Sequence, residues 1–226
     1  MWKRECCFLL KEYRKYLKDK NVILVAPAAY LIGRNMGEEI DNYDVVVRIN
    51  NSLPIPKTLE KDLGSRTDIL YHGLFSSGFP NENEKKHWQD IGLKWIVSKL
   101  SKDNKRSKKF KEFLGDMNIN WLTSYGTMKK ISKNVKKSPS QGTITIVHLL
   151  EQPIKSLVVI GMDFYQTGYY LGYKNLNNEE QIEKIRKINQ RGKFHDMVSQ
   201  IKYLAKIWKE DDRLKVDDVL EKILTQ

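Results

Sequence analysis

The stretch Val22–Asn50, VILVAPAAYLIGRNMGEEIDNYDVVVRIN, decides the fold. Val22, Ile23, Leu24 and Val25 form a short unbroken apolar run, the pattern of a strand covered on both faces. Ala26 and Pro27 end it, and a helix-like segment over Tyr30 to Ile40 follows, carrying Gly33 and Gly37. Asp44 to Ile49, rich in β-branched residues, reads as a second strand, closed by Asn50, Asn51, Ser52 and the turn formers Pro54 and Pro56. The chain therefore opens strand, helix, strand. Working outward, further strands are expected at Thr67 to Tyr71, Lys94 to Lys99, Ile119 to Leu122 and Leu157 to Ile160. Helices are expected at Lys108 to Leu114, Tyr125 to Val135, Gln141 to Leu150, Glu179 to Asn189 and His195 to Lys209. Ahead of the first strand, Cys6, Leu9, Leu10, Tyr13, Tyr16 and Leu17 recur at the spacing of one helical face. Strands alternating with helices predict an α/β fold, a Rossmann-like, mostly parallel sheet flanked by helices. With no repeat and no long linker, the expected organisation is a single domain over 1–226. It would comprise an N-terminal helix in 1–20, a core in 22–209 and a C-terminal helix in 210–226.

The 226 residues are 40% hydrophobic and 30% charged, an ordinary globular balance. No apolar run reaches the roughly 18 to 20 residues of a membrane-spanning helix. Lys11, Glu12, Arg14 and Lys15 interrupt the N-terminal apolar patch before a signal-peptide core could form. The sequence thus predicts neither anchor nor signal peptide. Its two cysteines are the adjacent Cys6 and Cys7, which argues against a disulfide framework and for a reducing, cytoplasmic setting. A net charge of +12 draws anions: nucleic acid, an acidic membrane surface at which the protein would be peripheral, or a phosphorylated small molecule. The lysine-rich stretches Lys99 to Lys111 and Lys129 to Lys137 have few interleaved aromatics for base stacking. They read as solvated surface, and no specific nucleic-acid partner is expected. A basic nucleic-acid-binding protein stays as the competitor from another class.

In such a sheet, ligands bind beyond the carboxyl ends of the strands, so the segments after Val25, Ile49 and Ile160 are the places to look. The first is not GxGxxG, and Arg48 and Asn50 stand where a ribose-binding acid would end the second strand. GxxxxGK[ST] and GxSxG are absent as well. The four histidines, His72, His87, His148 and His195, are far apart and none belongs to HExxH, so no metal is expected. A helix opening at Ser140, Gln141 and Gly142 offers free N–H groups to a phosphate or carboxylate, or is a plain N-cap of a buried helix. Asn50 could serve a phosphate, ribose or base, or be a turn residue. His195 could take a proton from a hydroxyl, or be a surface histidine at a helix start. Tyr125 is a further candidate by position. His148 reads as a core histidine, while His72 at a strand end and His87 in a charged loop read as structural.

The order of these pieces resembles a family. Ile40–Asp41, Arg48–Ile49–Asn50 and Asp62–Leu63–Gly64–Ser65–Arg66–Thr67, following the first strand and turn, are similar to the large sialyl motif of eukaryotic-type sialyltransferases. Ser140 and Gly142, with Gly161 and Asp163 after the later strand, resemble the small motif. Tyr169 and Tyr170 resemble the third, and His195 stands where the very small motif has its catalytic histidine. The resemblance spans about Val22 to Gln200. It implies a variant of the GT-A fold and an inverting, metal-independent transfer, with no cofactor beyond the CMP-activated sugar donor. Sialic acid or a related 2-keto sugar acid would pass to a glycan or glycolipid hydroxyl, with His195 as catalytic base. Ala26, Asn50, Ser140, Gln141, Gly142, Gly161, Asp163, Tyr169 and Tyr170 would bind nucleotide and donor, while Arg48, Asp62, Arg66 and Asp68 would form a turn scaffold. Four departures mark the chain. The family's Gly-Asn-Ser-Gly turn is Ala26–Pro27–Ala28–Ala29, Gly168 replaces a histidine, Gln200 replaces a glutamate, and the disulfide joining the large and small motifs has no counterpart. These leave an inactive or altered-donor nucleotide-binding relative as the alternative.

Overall fold

The computed structural model describes residues 2–74, 79–173, 179–190 and 194–226. Its strands are β1 (Asn21–Val25), β2 (Val45–Ile49), β3 (Ile69–His72), β4 (Trp95–Ser98), β5 (Asn120–Thr123), β6 (Ser156–Ile160) and β7 (Leu214–Val216). They form one sheet in the order β5-β4-β3-β2-β1-β6-β7, parallel throughout. β1 lies between β2 and β6, so the chain's direction of travel across the sheet reverses there, and the crevice that a reversal opens lies at the carboxyl ends.

Alternation along each strand builds two apolar layers. One carries Leu24, Val47, Tyr71, Val97 and Leu122 against α1 (Trp2–Leu17), α7 (Gln141–Leu150), α9 (Met197–Glu210) and α10 (Asp218–Leu224). The other carries Ile23, Val46, Leu70, Ile96 and Trp121 against α2 (Gly37–Asp41), α3 (Glu60–Leu63), α4 (Glu82–Asp90) and α5 (Lys105–Leu114). The remaining helices are α6 (Tyr125–Ile131) and α8 (Glu179–Gln190).

The first six strands fall where the sequence puts them, and α7 has the expected bounds. Other expectations are corrected. The helix expected over Tyr30 to Ile40 is a single 3-10 turn at Ala29–Leu31 and the separate α2, because Gly33 and Asn35 take left-handed φ of 86° and 54° between them. Residues 210–226 hold β7 before α10 rather than one helix. His87 lies on α4, which begins with a capping box at Asn81 and Glu84, not in a loop. α9 starts at Met197 behind an Asp196 cap, so His195 precedes it. On α1, Tyr13 and Leu17 are fully buried, but Leu10 is 39% exposed and leaves the apolar face. The Cys6 side chain lies outside the described residues.

Arg48, Asp62, Arg66 and Asp68 form the expected scaffold. Arg48 is buried and donates from Nε to Thr67 Oγ1 (2.9 Å) and from Nη2 to the Leu63 carbonyl (2.6 Å). Arg66 pairs with Asp68 at 2.8 Å, and the Asp62 carboxylate accepts the Asn35 N–H at 2.9 Å.

His148 is a core histidine, as its sequence suggests. Its Nδ1 lies 2.7 Å from the Tyr71 hydroxyl, which in turn is 2.9 Å from that of Tyr13. Burial depresses its pKa to about 4, with the Glu151 charge opposing weakly. Below pH 6.5 the unfolded chain therefore binds a proton that the folded chain refuses, so stability is lost as pH falls through that window and levels off near pH 4. The expected loss from this group is about 3 kcal/mol between pH 7 and 4. Denaturant unfolding across that range checks it: His148→Gln, though less stable at neutral pH, should show a correspondingly shallower pH slope.

Candidate active site

At the carboxyl ends of β1, β2 and β6 lies a cleft lined by seven of the ten residues singled out from the sequence: Ala26, Asn50, Ser140, Gly142, Gly161, Asp163 and Tyr169. The α7 start is held from two sides. Ser140 Oγ caps the helix by accepting the Thr143 N–H at 3.3 Å. Gln200, fully buried on α9, accepts the Ser140 N–H (2.7 Å) and the Thr143 hydroxyl (2.8 Å) on Oε1, and donates from Nε2 to the Asp196 carbonyl (3.2 Å). An amide both accepts and donates here, which an ionised glutamate could not do. The departure at Gln200 is thus a complete structural tie. Ser140 and Gly142 at the start of α7 line the cleft, and a Cβ at Gly142 would lie 3.2 Å from Met162 Cε and Sδ on its wall. Such a helix start favours an anion.

The other walls are set by backbone demands. Gly161 has φ of 73°, and a Cβ there would collide with the Ala26 carbonyl oxygen. Its N–H donates to the Tyr30 hydroxyl at 2.8 Å. Asn50 takes φ of 52° and accepts the Gly73 N–H on Oδ1 at 3.1 Å, which fixes its amide at the end of β2. Asp163 organises the turn that follows, accepting the N–H groups of Tyr165 (2.9 Å) and Thr167 (2.6 Å) and the Thr167 hydroxyl (2.5 Å). Phe164 and Tyr165 then adopt left-handed φ of 51° and 69° and turn into the cleft wall. The Ala26–Ala29 segment spends its N–H groups internally: Ala28 donates to the Gly161 carbonyl and Ala29 to that of Gly168, each at 3.0 Å. It contributes an apolar wall.

Three expected residues do not line the cleft. Gln141 is buried beside it at the first position of α7, and neither of its amide atoms has a hydrogen-bond partner among the described residues. Tyr170 is buried deeper in the apolar layer against which Tyr169 also packs, and its hydroxyl there meets Ser52 and Arg48. His195 stands next to the cleft rather than in its wall. Its Nδ1 is 2.6 Å from the carbonyl of Ser138, two residues before Ser140. Burial and the Lys99 ammonium lower its pKa, while the Ser138 carbonyl partly restores it. A carbonyl only accepts, so the neutral ring carries its proton on Nδ1 and presents a lone pair at Nε2. Tyr125, at the start of α6, does not reach the cleft.

The sequence reading missed Met162, Phe164, Tyr165 and Tyr173, which complete the walls. Tyr173 packs against Tyr169 at a 40° tilt with ring centroids 4.4 Å apart, so the aromatic wall has more rings than its motif shows. The free space is about 60 Å³. Size does not single this cleft out: a groove of about 850 Å³ lies beneath α1 and α4 at the amino ends of β4 and β5, away from the ten candidate site residues. Among the described residues, no cluster of His, Cys, Asp and Glu could hold a metal ion, and no helix is long and apolar enough to cross a membrane.

The family model described as glycosyltransferase family 29 (sialyltransferase) matches residues 18–158. CMP-N-acetylneuraminate-beta-1,4-galactoside alpha-2,3-sialyltransferase of Homo sapiens is 28% identical over 169 residues, 68% of this chain, and the Rattus norvegicus protein of that name is 27% identical. The chain spans about 39% of the length of these relatives. Among solved structures, the sialyltransferase CstII of Campylobacter jejuni in complex with cytidine-5'-monophosphate superposes with a TM-score of 0.56 at 16% identity, over 88% of this chain and 80% of that one. A mammalian sialyltransferase in complex with Gal-beta-1-3GalNAc-ortho-nitrophenol gives 0.50 at 13% identity, over 90% and 71%. At these identities the likeness speaks to the fold.

Proposed function

Since the chain belongs to glycosyltransferase family 29, the sialyltransferases, we propose that it moves a sialic acid or related 2-keto sugar acid from a CMP-activated donor to a glycan hydroxyl by an inverting, metal-independent displacement. The observation that carries this reading is the cleft at the reversal of the sheet, where the capped start of α7 and the Asn50 amide meet under an aromatic wall. In this reading His195 Nε2 takes the proton of the acceptor hydroxyl. The freed oxygen bonds to the anomeric carbon, the bond from that carbon to the phosphate oxygen breaks, and CMP departs with the electron pair. The N–H groups at the start of α7 meet the charge that gathers on the departing phosphate. Asn50 and Tyr169 hold the nucleotide, and the tie from Gln200 keeps the helix start and the His195 segment in register. The activity that names the relatives, transfer from CMP-N-acetylneuraminate to a galactoside, supports the donor class. A cytoplasmic setting, with peripheral contact to an anionic membrane bearing a glycolipid acceptor, belongs to the proposal on the strength of the two adjacent cysteines and the charge of +12.

The first test is thermal stabilisation by CMP, CDP, UMP, UDP, GDP and NAD without added metal. A ligand bound only by the folded chain at a hundred times its dissociation constant contributes about 2.7 kcal/mol. CMP alone is expected to give a shift of that order. A shift with another nucleotide and none with CMP would move the donor assignment, which the apolar Ala26–Ala29 wall makes a concrete second reading. No shift with any would overturn the transferase reading.

A further inference from the structure

The outer face of α9 and the lysine run ahead of α7 make one surface beside His195. Gln200 is fully buried on α9, and Val198, two positions and about 200° around the helix, stands on the opposite side and is 65% exposed. Lys202 and Lys206 follow Val198 at four-residue spacing along the same exposed row. Phe194, just ahead of the Asp196 cap, is 56% exposed. Two contacts lay the lysine run against this helix start. The Lys136 N–H donates to Ser199 Oγ at 3.2 Å, and His195 Nδ1 is 2.6 Å from the Ser138 carbonyl. Lys133 and Lys136 are exposed on that run. Lys206 pairs with Glu210 at 3.8 Å, whereas Lys133, Lys136 and Lys202 have no carboxylate within ion-pair distance among the described residues. Asp196, at the edge of this face, spends Oδ1 on the Ser199 N–H at 2.8 Å.

We infer that this surface docks on an anionic membrane, with Phe194 and Val198 entering the boundary between headgroups and Lys133, Lys136, Lys202 and Lys206 pairing with lipid phosphates around them. It gives the peripheral contact of the transferase reading its surface, and rests on that reading for what the contact serves. An apolar pair set among lysines suits an anionic bilayer boundary, where the apolar side chains leave water and the ammonium groups meet negative headgroups. A second copy of this chain would have to set the same lysines against one another across a two-fold contact. Nucleic acid would use the lysines but gains nothing from Val198, which has no ring to stack on a base. The position also fits the proposed chemistry. His195 directly follows Phe194, about 3.8 Å away between Cα atoms. With Phe194 at the boundary, the base stands at the membrane surface, and the acceptor hydroxyl it reaches belongs to a sugar held close to the bilayer.

The test is co-sedimentation of the full chain with vesicles of phosphatidylcholine, and with the same vesicles carrying phosphatidylglycerol, at low and high salt. The expected result is partition to the anionic vesicles alone, weakened by salt. Lys133→Gln, Lys136→Gln and Lys202→Gln combined should lower that partition about a hundredfold, at about fivefold per charge. Phe194→Ser with Val198→Ser should lower it about tenfold. Lys61→Gln, Lys86→Gln and Lys108→Gln combined, on α3, α4 and α5 in the other layer, should change it by less than about threefold. All eight side chains are exposed, so these variants should keep the parent's melting temperature. Transfer from CMP-N-acetylneuraminate to free lactose should be unchanged in them, while the KM for a lactosyl lipid in anionic vesicles should rise as partition is lost. Equal partition to the two kinds of vesicle, equal losses from the two lysine sets, or no loss on replacing Phe194 and Val198 would each overturn the docking surface. Retention of single-stranded RNA that the first lysine set abolishes, with no vesicle binding, would overturn it in favour of a nucleic-acid face. Stabilisation by CMP without vesicle binding would overturn the docking and leave the transferase standing. Vesicle binding without any response to CMP would remove the transferase and leave the surface.

Discussion

A His195→Ala chain is expected to lose transfer activity by about a hundred- to ten-thousandfold, the range that a positioned general base contributes, while keeping its melting temperature and its stabilisation by CMP. The geometry separates these effects. His195 is only half-buried and its side chain bonds to the Ser138 carbonyl, so its removal leaves the core and the capped start of α7 intact. What disappears is the lone pair at Nε2 that the Ser138 bond directs away from the backbone. In the unaltered chain, burial and Lys99 hold the imidazole below its ordinary value, so the base form dominates at neutral pH and the acid limb of kcat/KM is expected below pH 6.5. Rate measurements with CMP-N-acetylneuraminate across pH 5 to 8 check both features. Transfer at the full rate by His195→Ala would remove the histidine from the mechanism.

The second large effect concerns folding. Arg48→Met should destabilise the chain by about 3 to 5 kcal/mol, because it leaves buried acceptors without donors. Arg48 is 1% exposed, and its guanidinium serves the carbonyls of Leu63 and Arg66 and the hydroxyl of Thr67. Methionine fills similar volume and supplies none of these bonds. Burial lowers the Arg48 pKa to about 10, against the opposing influence of Tyr170 and Asp41, so the residue stays charged at any ordinary pH and its bonds persist. Denaturant unfolding measures the change, and Arg48→Lys should recover part of it, since a single ammonium cannot span the acceptors that the planar fork reaches. An Arg48→Met chain as stable as the parent would show that the loop from Leu63 to Thr67 finds other partners.

Why this scaffold could be read from residues, and parts of the cleft could not, comes down to where the signal resides. α7 was legible because Ser140 caps a run that is apolar on every side, whereas Gly161 was legible only through the resemblance of its motif, and its positive φ and close approach to Ala26 appear in the fold alone. α4 was not: in ENEKKHWQD only Trp88 is buried, so no apolar stripe marks it. β7 is three residues long and one of them is buried, too little for alternation to register. The segment after β1 looked helical by composition, yet the left-handed Gly33 and Asn35 divide it, and the Asn35 N–H is anchored by Asp62, far along the chain. In the cleft, Phe164 and Tyr165 owe their placement to the Asp163 turn, a tertiary arrangement without periodic trace. Tyr169 and Tyr170 are alike as letters, and the pairing of Ala28 with Tyr169 sets which one lines the cleft.

The place of β6 beside β1 has a consequence for synthesis. Asn21 on β1 and its partner Ser156 on β6 are separated by 135 positions in the chain. At about 5 to 20 residues per second, β1 would wait roughly 7 to 27 s on the ribosome for its second neighbour. Through that interval one edge of a wholly apolar strand, Val22 to Val25, stays open, the kind of edge that pairs with other chains. The nascent chain thus presents an open apolar edge from the emergence of β1 until β6 closes the sheet. Translation pauses placed before Ser156 lengthen that exposure.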